Sequence, residues 1–193
     1  VIFTSDNGPA FMLRDDQVPE GVSIDTRRFN CGMNGAKGSA YEGGIRIPML
    51  IDWPSGLPRN RDVETLIHFS DWLPTLLSAA GVQHVGSKPL DGIDALPALR
   101  GDCQEQQLRF WQLNSYSPAG ETNAAMREGD WKLVRPAIDL SFAADDDAEL
   151  ARRYVDLDIE YKYDCHSISG IAEWPEPVRC IPDIPAPLLF NLA

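Results

Sequence analysis

The sequence predicts an α/β fold in two parts. Two apolar runs, Val1–Ser5 and Ile45–Trp53, are rich in β-branched residues and bounded by turn clusters, so they read as strands. Ser70–Gly81 carries apolar residues at helical spacing, with a Gly stop at its end, so it reads as a helix packed on those strands. After about residue 105 the pattern changes to short strands and tight turns, which predict a small antiparallel sheet with a helix.

The elements follow in order. Val1–Ser5 reads as a buried strand that ends in the turn cluster Asp6-Asn7-Gly8-Pro9. Residues 9–44 are rich in Gly, Asn, Asp and Arg and have no sustained period, which is the pattern of a functional or disordered loop. Ile45–Trp53 closes at Pro54-Ser55-Gly56. In Ser70–Gly81, Ser70 or Asp71 can cap the start and Pro74 falls near the first turn, where a missing N–H is tolerated. Leu73, Leu76, Leu77 and Ala80 share one face, the expected core face. Residues 82–105 read as a polar connection. Strands are expected at 108–113, 124–127 and 131–135, the last two joined by the hairpin turn Glu128-Gly129-Asp130. A helix is expected at 147–155, a Pro-rich surface excursion at 164–187 and a final strand at Leu188–Leu192. The expected division is therefore 1–105 and 106–193, with an insertion at about 139–187.

Composition limits the function classes. Hydrophobic residues make up 44% of the 193 residues, enough for a sizeable core. With 29 acidic against 17 basic side chains the net charge is -12, so the surface should repel nucleic acid and anionic lipid. No apolar run reaches the roughly 18 residues of a membrane span. Both ends stop within apolar runs and read as cuts in a longer chain, so the lack of a signal peptide carries no information on compartment. The four cysteines, Cys31, Cys103, Cys165 and Cys180, form no C-x-x-C pair, which disfavours zinc and thioredoxin-like chemistry. Cys165 and Cys180 flank a Pro-rich loop. A disulfide there would close about 15 residues and add roughly 3 kcal/mol; separate thiols fit the sequence equally well.

Two segments carry the chemistry. Asp6 and Asn7 follow a strand directly, the position where α/β sheets collect ligands. Their oxygens are hard donors, suited to calcium or magnesium. Gly35-Ala36-Lys37-Gly38-Ser39-Ala40-Tyr41-Glu42-Gly43-Gly44 places one lysine among four glycines. Lys37 is a compact cation able to hold a tetrahedral oxyanion, and the glycines permit close backbone approach. The P-loop spacing is absent.

These segments, in order and with Ile45-Arg46-Ile47-Pro48 and Trp53-Pro54 after them, resemble the sulfatase family. Asp71-Trp72-Leu73-Pro74-Thr75-Leu76-Leu77, Leu90-Asp91-Gly92-Ile93-Asp94, Met126-Arg127-Glu128-Gly129-Asp130-Trp131-Lys132-Leu133 and Leu189-Phe190-Asn191-Leu192 extend the resemblance over nearly the whole chain. It implies part of an α/β/α sandwich of the alkaline phosphatase superfamily, the carboxy-terminal portion, and hydrolysis of sulfate esters. It implies one divalent cation, usually calcium, with Asp6 and Asn7 among its ligands, and Lys37 as the catalytic residue that contacts the sulfate oxygens. The family's nucleophile is a formylglycine made from Cys or Ser in a C/S-x-P-x-R motif; its hydrate attacks sulfur, and the sulfated intermediate then breaks down. No such motif occurs in these 193 residues, and Cys31 is followed by Gly32-Met33-Asn34. The chain is thus expected to supply half of an active site for a sulfated small molecule or sulfated carbohydrate. A phosphate or phosphonate ester hydrolase of the same superfamily, or an inactive fragment, are the alternatives. The resemblance points to a periplasmic, secreted or lysosomal-type compartment.

The remaining candidates have ordinary explanations. His68, His84 and His166 read as packing or loop residues, and Arg46 as the partner of a carboxylate. Tyr41 and Glu42 read as braces of the Lys37 loop, with Glu42 not expected to act as a general acid. Asp145–Asp147 reads as a solvated helix start. Trp111, Trp131 and Trp174 read as packing residues.

Overall fold

The computed structural model describes residues 1–10, 29–102, 107–113, 120–166 and 173–193. Cys103, residues 11–28 of the expected loop and 167–172 of the Pro-rich stretch lie outside the described residues. The fold is mixed α and β, and every strand pairing among the described residues is antiparallel.

Strand β1 (Ile2–Thr4) pairs with β2 (Met49–Ile51), with Phe3 opposite Leu50. The first strand forms where expected but is not buried: Phe3 is 61% exposed, because β2 is its single strand partner among the described residues. The second apolar run is not one long strand. Its start belongs to a helical turn, α1 (Glu42–Ile45), because Tyr41 and Glu42 carbonyls accept from the Ile45 and Arg46 N–H groups. Pro48 then leaves three residues for β2.

A 3-10 turn at Phe69–Asp71 leads into α2 (Trp72–Ala80), which ends where Gly81 adopts φ 67° and donates to Leu77 and Ser78 carbonyls. This left-handed stop matches the Gly expected there. The cap differs: the His68 imidazole accepts from the Ser70 N–H, and the Asp71 carboxylate accepts from the His68 N–H at 2.8 Å. The buried face also differs. Asp71 and Thr75 point inward, whereas Leu73, Leu76 and Ala80 are exposed. The reason is the following segment, which forms α3 (Leu96–Arg100) instead of a plain connection. Its approach brings the Ala95 N–H to Thr75 Oγ1 (2.9 Å) and the Ile93 N–H to Asp71 Oδ1 (2.9 Å), so polar side chains take the inner side of α2.

The main sheet orders as β3 (Arg109–Gln112), β4 (Ala124–Glu128), β5 (Trp131–Arg135) and the carboxy-terminal strand β8 (Leu188–Asn191). Glu128 pairs with Trp131, so Gly129 (φ 56°) and Asp130 form a two-residue hairpin turn that needs positive φ. Along β5 the side chains alternate, and Lys132 and Val134 take the buried face. Ala40, Ala125 and Val134 form the core cluster under this sheet, with Tyr41, Trp111 and Phe190 packed against it. Trp131 is therefore not a core residue; it sits on the outer face, 53% exposed.

Between β5 and β8 lie β6 (Ser141–Phe142), α4 (Asp145–Tyr163) and β7 (Arg179–Cys180). Helix α4 begins close to its expected start but runs well past its expected end, to Tyr163. Asp145, Asp146 and Asp147 occupy its first turn, where the helix dipole favours negative charge. The Tyr154 hydroxyl donates to the Trp174 carbonyl (2.6 Å) and their rings meet edge-on, which holds part of the Pro-rich segment on α4. Cys165 and Cys180 are both exposed free thiols, so the disulfide alternative is not realised. No helix among the described residues is long and apolar enough to cross a membrane.

Candidate functional site

Asp6 and Asn7 stand just past the carboxyl end of β1. Asp6 is exposed and Asn7 is half-buried. The Ser5 hydroxyl donates to the Asn7 carbonyl (2.9 Å), and the Asn7 side-chain amide donates to the Gly8 carbonyl (2.8 Å). The latter bond uses an Nδ2 donor and does not engage Oδ1.

Lys37 is brought to this turn by the backbone. Its N–H donates to the Pro9 carbonyl (3.0 Å), and the Gly8 N–H donates to the Gly44 carbonyl (2.8 Å). The glycines serve this lamination. A Cβ on Gly8 would lie 1.8 Å from the Gly43 carbonyl oxygen, and one on Gly43 would lie 2.2 Å from the Gly35 oxygen. These glycines thus allow backbone to approach backbone, whereas the sequence pattern was read as approach to a ligand. Gly38, at φ 91°, reverses the chain directly after Lys37. The Lys37 side chain remains exposed.

The second sheet holds the same loop from the other side. Glu42 receives a hydrogen bond from the Lys132 ammonium at 2.6 Å, with the Arg127 guanidinium 3.8 Å and the Arg46 guanidinium 4.0 Å from its other oxygen. Lys132 is 1% exposed. Burial pulls Lys132 below the ordinary lysine value; the bond and charge of Glu42 oppose this, and Arg127 adds to it. Asn123 donates to the Gly38 carbonyl (2.9 Å) and accepts from the Ala40 N–H (3.0 Å). Glu42 and Tyr41 therefore brace the loop as expected, Tyr41 by an edge-on contact with Phe190. Arg46 pairs with a carboxylate, also as expected.

A third group joins α2 to the sheet. One Arg109 nitrogen donates to both Asp71 oxygens (2.8 and 2.7 Å), and both residues are buried. His68 lies against Trp111, ring centres 5.4 Å apart, and the Lys132 ammonium is 5.5 Å from the centre of the Trp111 ring. Burial, then the Arg109 charge, holds His68 below the ordinary imidazole value, with Asp71 opposing. His84 hydrogen-bonds the local Lys88 carbonyl, and the exposed His166 donates its backbone N–H to Asp164.

Residues 1–82, which include Asp6, Asn7 and Lys37, match the family model described as Sulfatase. Over these residues the chain belongs to the sulfatase family. The chain is 36% identical over 121 residues to steryl-sulfatase of Mus musculus, covering 62% of this chain and 19% of that protein. It is 38% identical over 133 residues to N-acetylgalactosamine-6-sulfatase of Canis lupus familiaris (68% and 22%) and 34% identical over 132 residues to arylsulfatase A of Homo sapiens (68% and 24%). The chain spans about a fifth to a quarter of the length of these relatives.

The sulfatase segment offers hard oxygen donors of the right chemistry for calcium at Asp6 and Asn7. Among the described residues no group of three or more His, Cys, Asp or Glu side chains converges. Two such oxygens are fewer than the roughly six to eight that calcium takes. Sequence reading put Asp6, Asn7 and Lys37 in one candidate site, and in the structure the Lys37–Pro9 backbone bond makes their two loops neighbours. It missed Asn123, Lys132 and the Asp71–Arg109 pair. One signal was present: Lys132 shares the inward register of β5 with Val134, a position where a lysine needs a carboxylate.

Proposed function

We propose that this chain is the carboxy-terminal part of a sulfuric ester hydrolase, contributing a cation-binding pair and an anion-binding lysine. The observation that carries the reading is the backbone bond from Lys37 to Pro9, which fixes the lysine loop to the turn of Asp6 and Asn7. Two further supports are the match of this segment to the sulfatase model and the likeness to steryl-sulfatase and arylsulfatase A.

In this reading Asp6 and Asn7 hold one calcium ion together with ligands from elsewhere in the protein. The ion would neutralise charge on the sulfuryl oxygens. Lys37 places its ammonium on the same oxygens and stabilises the charge that develops as the S–O bond breaks. Because the loop is fixed in advance, no reorganisation is needed at that moment. The glycine-laminated turn positions the two charges, and the division at about residue 105 separates the site from the sheet that supports it. The substrate class is a sulfated small molecule or sulfated carbohydrate. The attacking group belongs to a C/S-x-P-x-R motif outside these residues.

The test uses the full-length protein with matched aryl sulfate and aryl phosphate substrates. Turnover of the sulfate at least about a hundredfold above the phosphate supports the reading. Preference for the phosphate would reassign the substrate class within the same fold.

A further inference from the structure

Asn123 is fixed by the sheet and grips the loop that carries Lys37. Its N–H donates to the Pro136 carbonyl (3.0 Å), and its carbonyl accepts from the Leu113 N–H (3.0 Å), so the peptide groups on both sides of its Cα are tied to neighbouring strand ends. Its φ of 45° lies in the left-handed region, where Asn is tolerated better than most side chains. In that conformation the carboxamide meets the loop on both sides of Ser39: Nδ2 donates to Gly38 and Oδ1 accepts from Ala40. The pair copies one rung of a β-ladder across 83 to 85 residues of sequence.

The chemistry demands a carboxamide. A carboxylate keeps the acceptor for Ala40 but turns a second oxygen toward the Gly38 carbonyl, with no donor between them. An alanine leaves the Ala40 N–H without a partner in a position only 2% exposed. Lys37 is the residue before Gly38, and its own N–H is held by Pro9. The lysine is thus tethered on one side by the Asp6–Pro9 turn and on the other by Asn123.

We infer that Asn123 is a positioning residue for Lys37, setting where the ammonium meets the anion without touching it. The inference rests on the reading of Lys37 as the anion-binding residue. The experiment is a double-mutant cycle in the full-length enzyme, with kcat/KM for an aryl sulfate measured for wild type, Asn123→Asp, Asn123→Ala, Lys37→Ala and both double variants. Either Asn123 substitution is expected to lower kcat/KM about tenfold to a hundredfold when Lys37 is present, the effect of a small misplacement. In the Lys37→Ala background the same substitutions are expected to cost less than about threefold, because the group they position is gone. Asn123→Asp, nearly isosteric, carries the test if Asn123→Ala fails to fold. Equal losses in both backgrounds, or wild-type kcat/KM in Asn123→Asp, would overturn the inference and leave Lys37 in place. Wild-type turnover in Lys37→Ala would instead overturn the reading beneath it.

Discussion

The Lys132 ammonium donates to the Glu42 carboxylate at 2.6 Å across 90 residues of sequence, tying the start of α1 to the centre of the antiparallel sheet. Removing one partner strands the other in a poorly hydrated place. Lys132→Met and Glu42→Gln are each expected to destabilise the protein by about 3 kcal/mol. The double substitution should cost clearly less than the sum, because neither charge is then left alone. Urea unfolding of the four proteins measures this coupling; simple additivity would mean that the pair does not act as a unit.

His68 gives a pH dependence of defined sign. Its folded value is held below 6.5 by burial and by Arg109, and its ring accepts a backbone hydrogen bond that the protonated form cannot accept. The unfolded chain therefore binds the proton more readily. Stability from this residue is complete above the ordinary imidazole value and is lost as pH falls through 6.5 toward the folded value. Melting curves between about pH 8 and pH 5 should show a slope of at most about 1.4 kcal/mol per pH unit from this group. His68→Asn, which keeps a cap acceptor, should flatten that part of the profile.

Two Gly→Ala substitutions separate close approach from backbone conformation. Gly8→Ala forces a Cβ onto the Gly43 carbonyl and should push the Asp6–Pro9 turn away from the Lys37 loop, reducing activity and stability together. Gly81→Ala meets open space and is penalised only for its positive φ, by about 1 kcal/mol, with activity retained. Thermal melts paired with aryl sulfate assays distinguish the two cases.

The cation is expected to bind through Asp6. In the full-length enzyme Asp6→Ala should weaken calcium affinity by about tenfold or more, since even outer partners of a metal ligand carry effects of that size. Chelation should abolish wild-type turnover and calcium should restore it. Calorimetric titration of calcium into the chelated protein gives the affinity; an unchanged constant in Asp6→Ala would remove this residue from the ligand set.

Local order was legible in the sequence where a single residue imposes it. Gly81 stops α2, Gly129 makes the β4–β5 turn, and the turn cluster at Asp6–Pro9 ends β1, each through a backbone requirement that the residue itself declares. Long-range pairing was not legible. Leu73 and Leu76 gave the apolar stripe expected of a core face, yet Asp71 and Thr75 face inward, because α3 and Arg109 supply partners that local spacing does not reveal. The run at Ile45–Trp53 had strand composition, but the carbonyls of Tyr41 and Glu42 draw its start into a helical turn. At the site, residue types and order pointed to Asp6, Asn7 and Lys37 as candidates. Asn123 and Lys132, which brace the loop, lie more than eighty residues away; the inward register of Lys132 signals a carboxylate partner but not which one, and Asn123 carries no such signal.

Turnover of an aryl sulfate by Lys37→Ala in the full-length enzyme tests the central claim most directly. Loss of a preorganised charge on the sulfuryl oxygens should lower kcat about a hundredfold to a thousandfold, with folding and calcium affinity unchanged. A kcat within about twofold of wild type would contradict the assignment of Lys37 as the anion-binding residue.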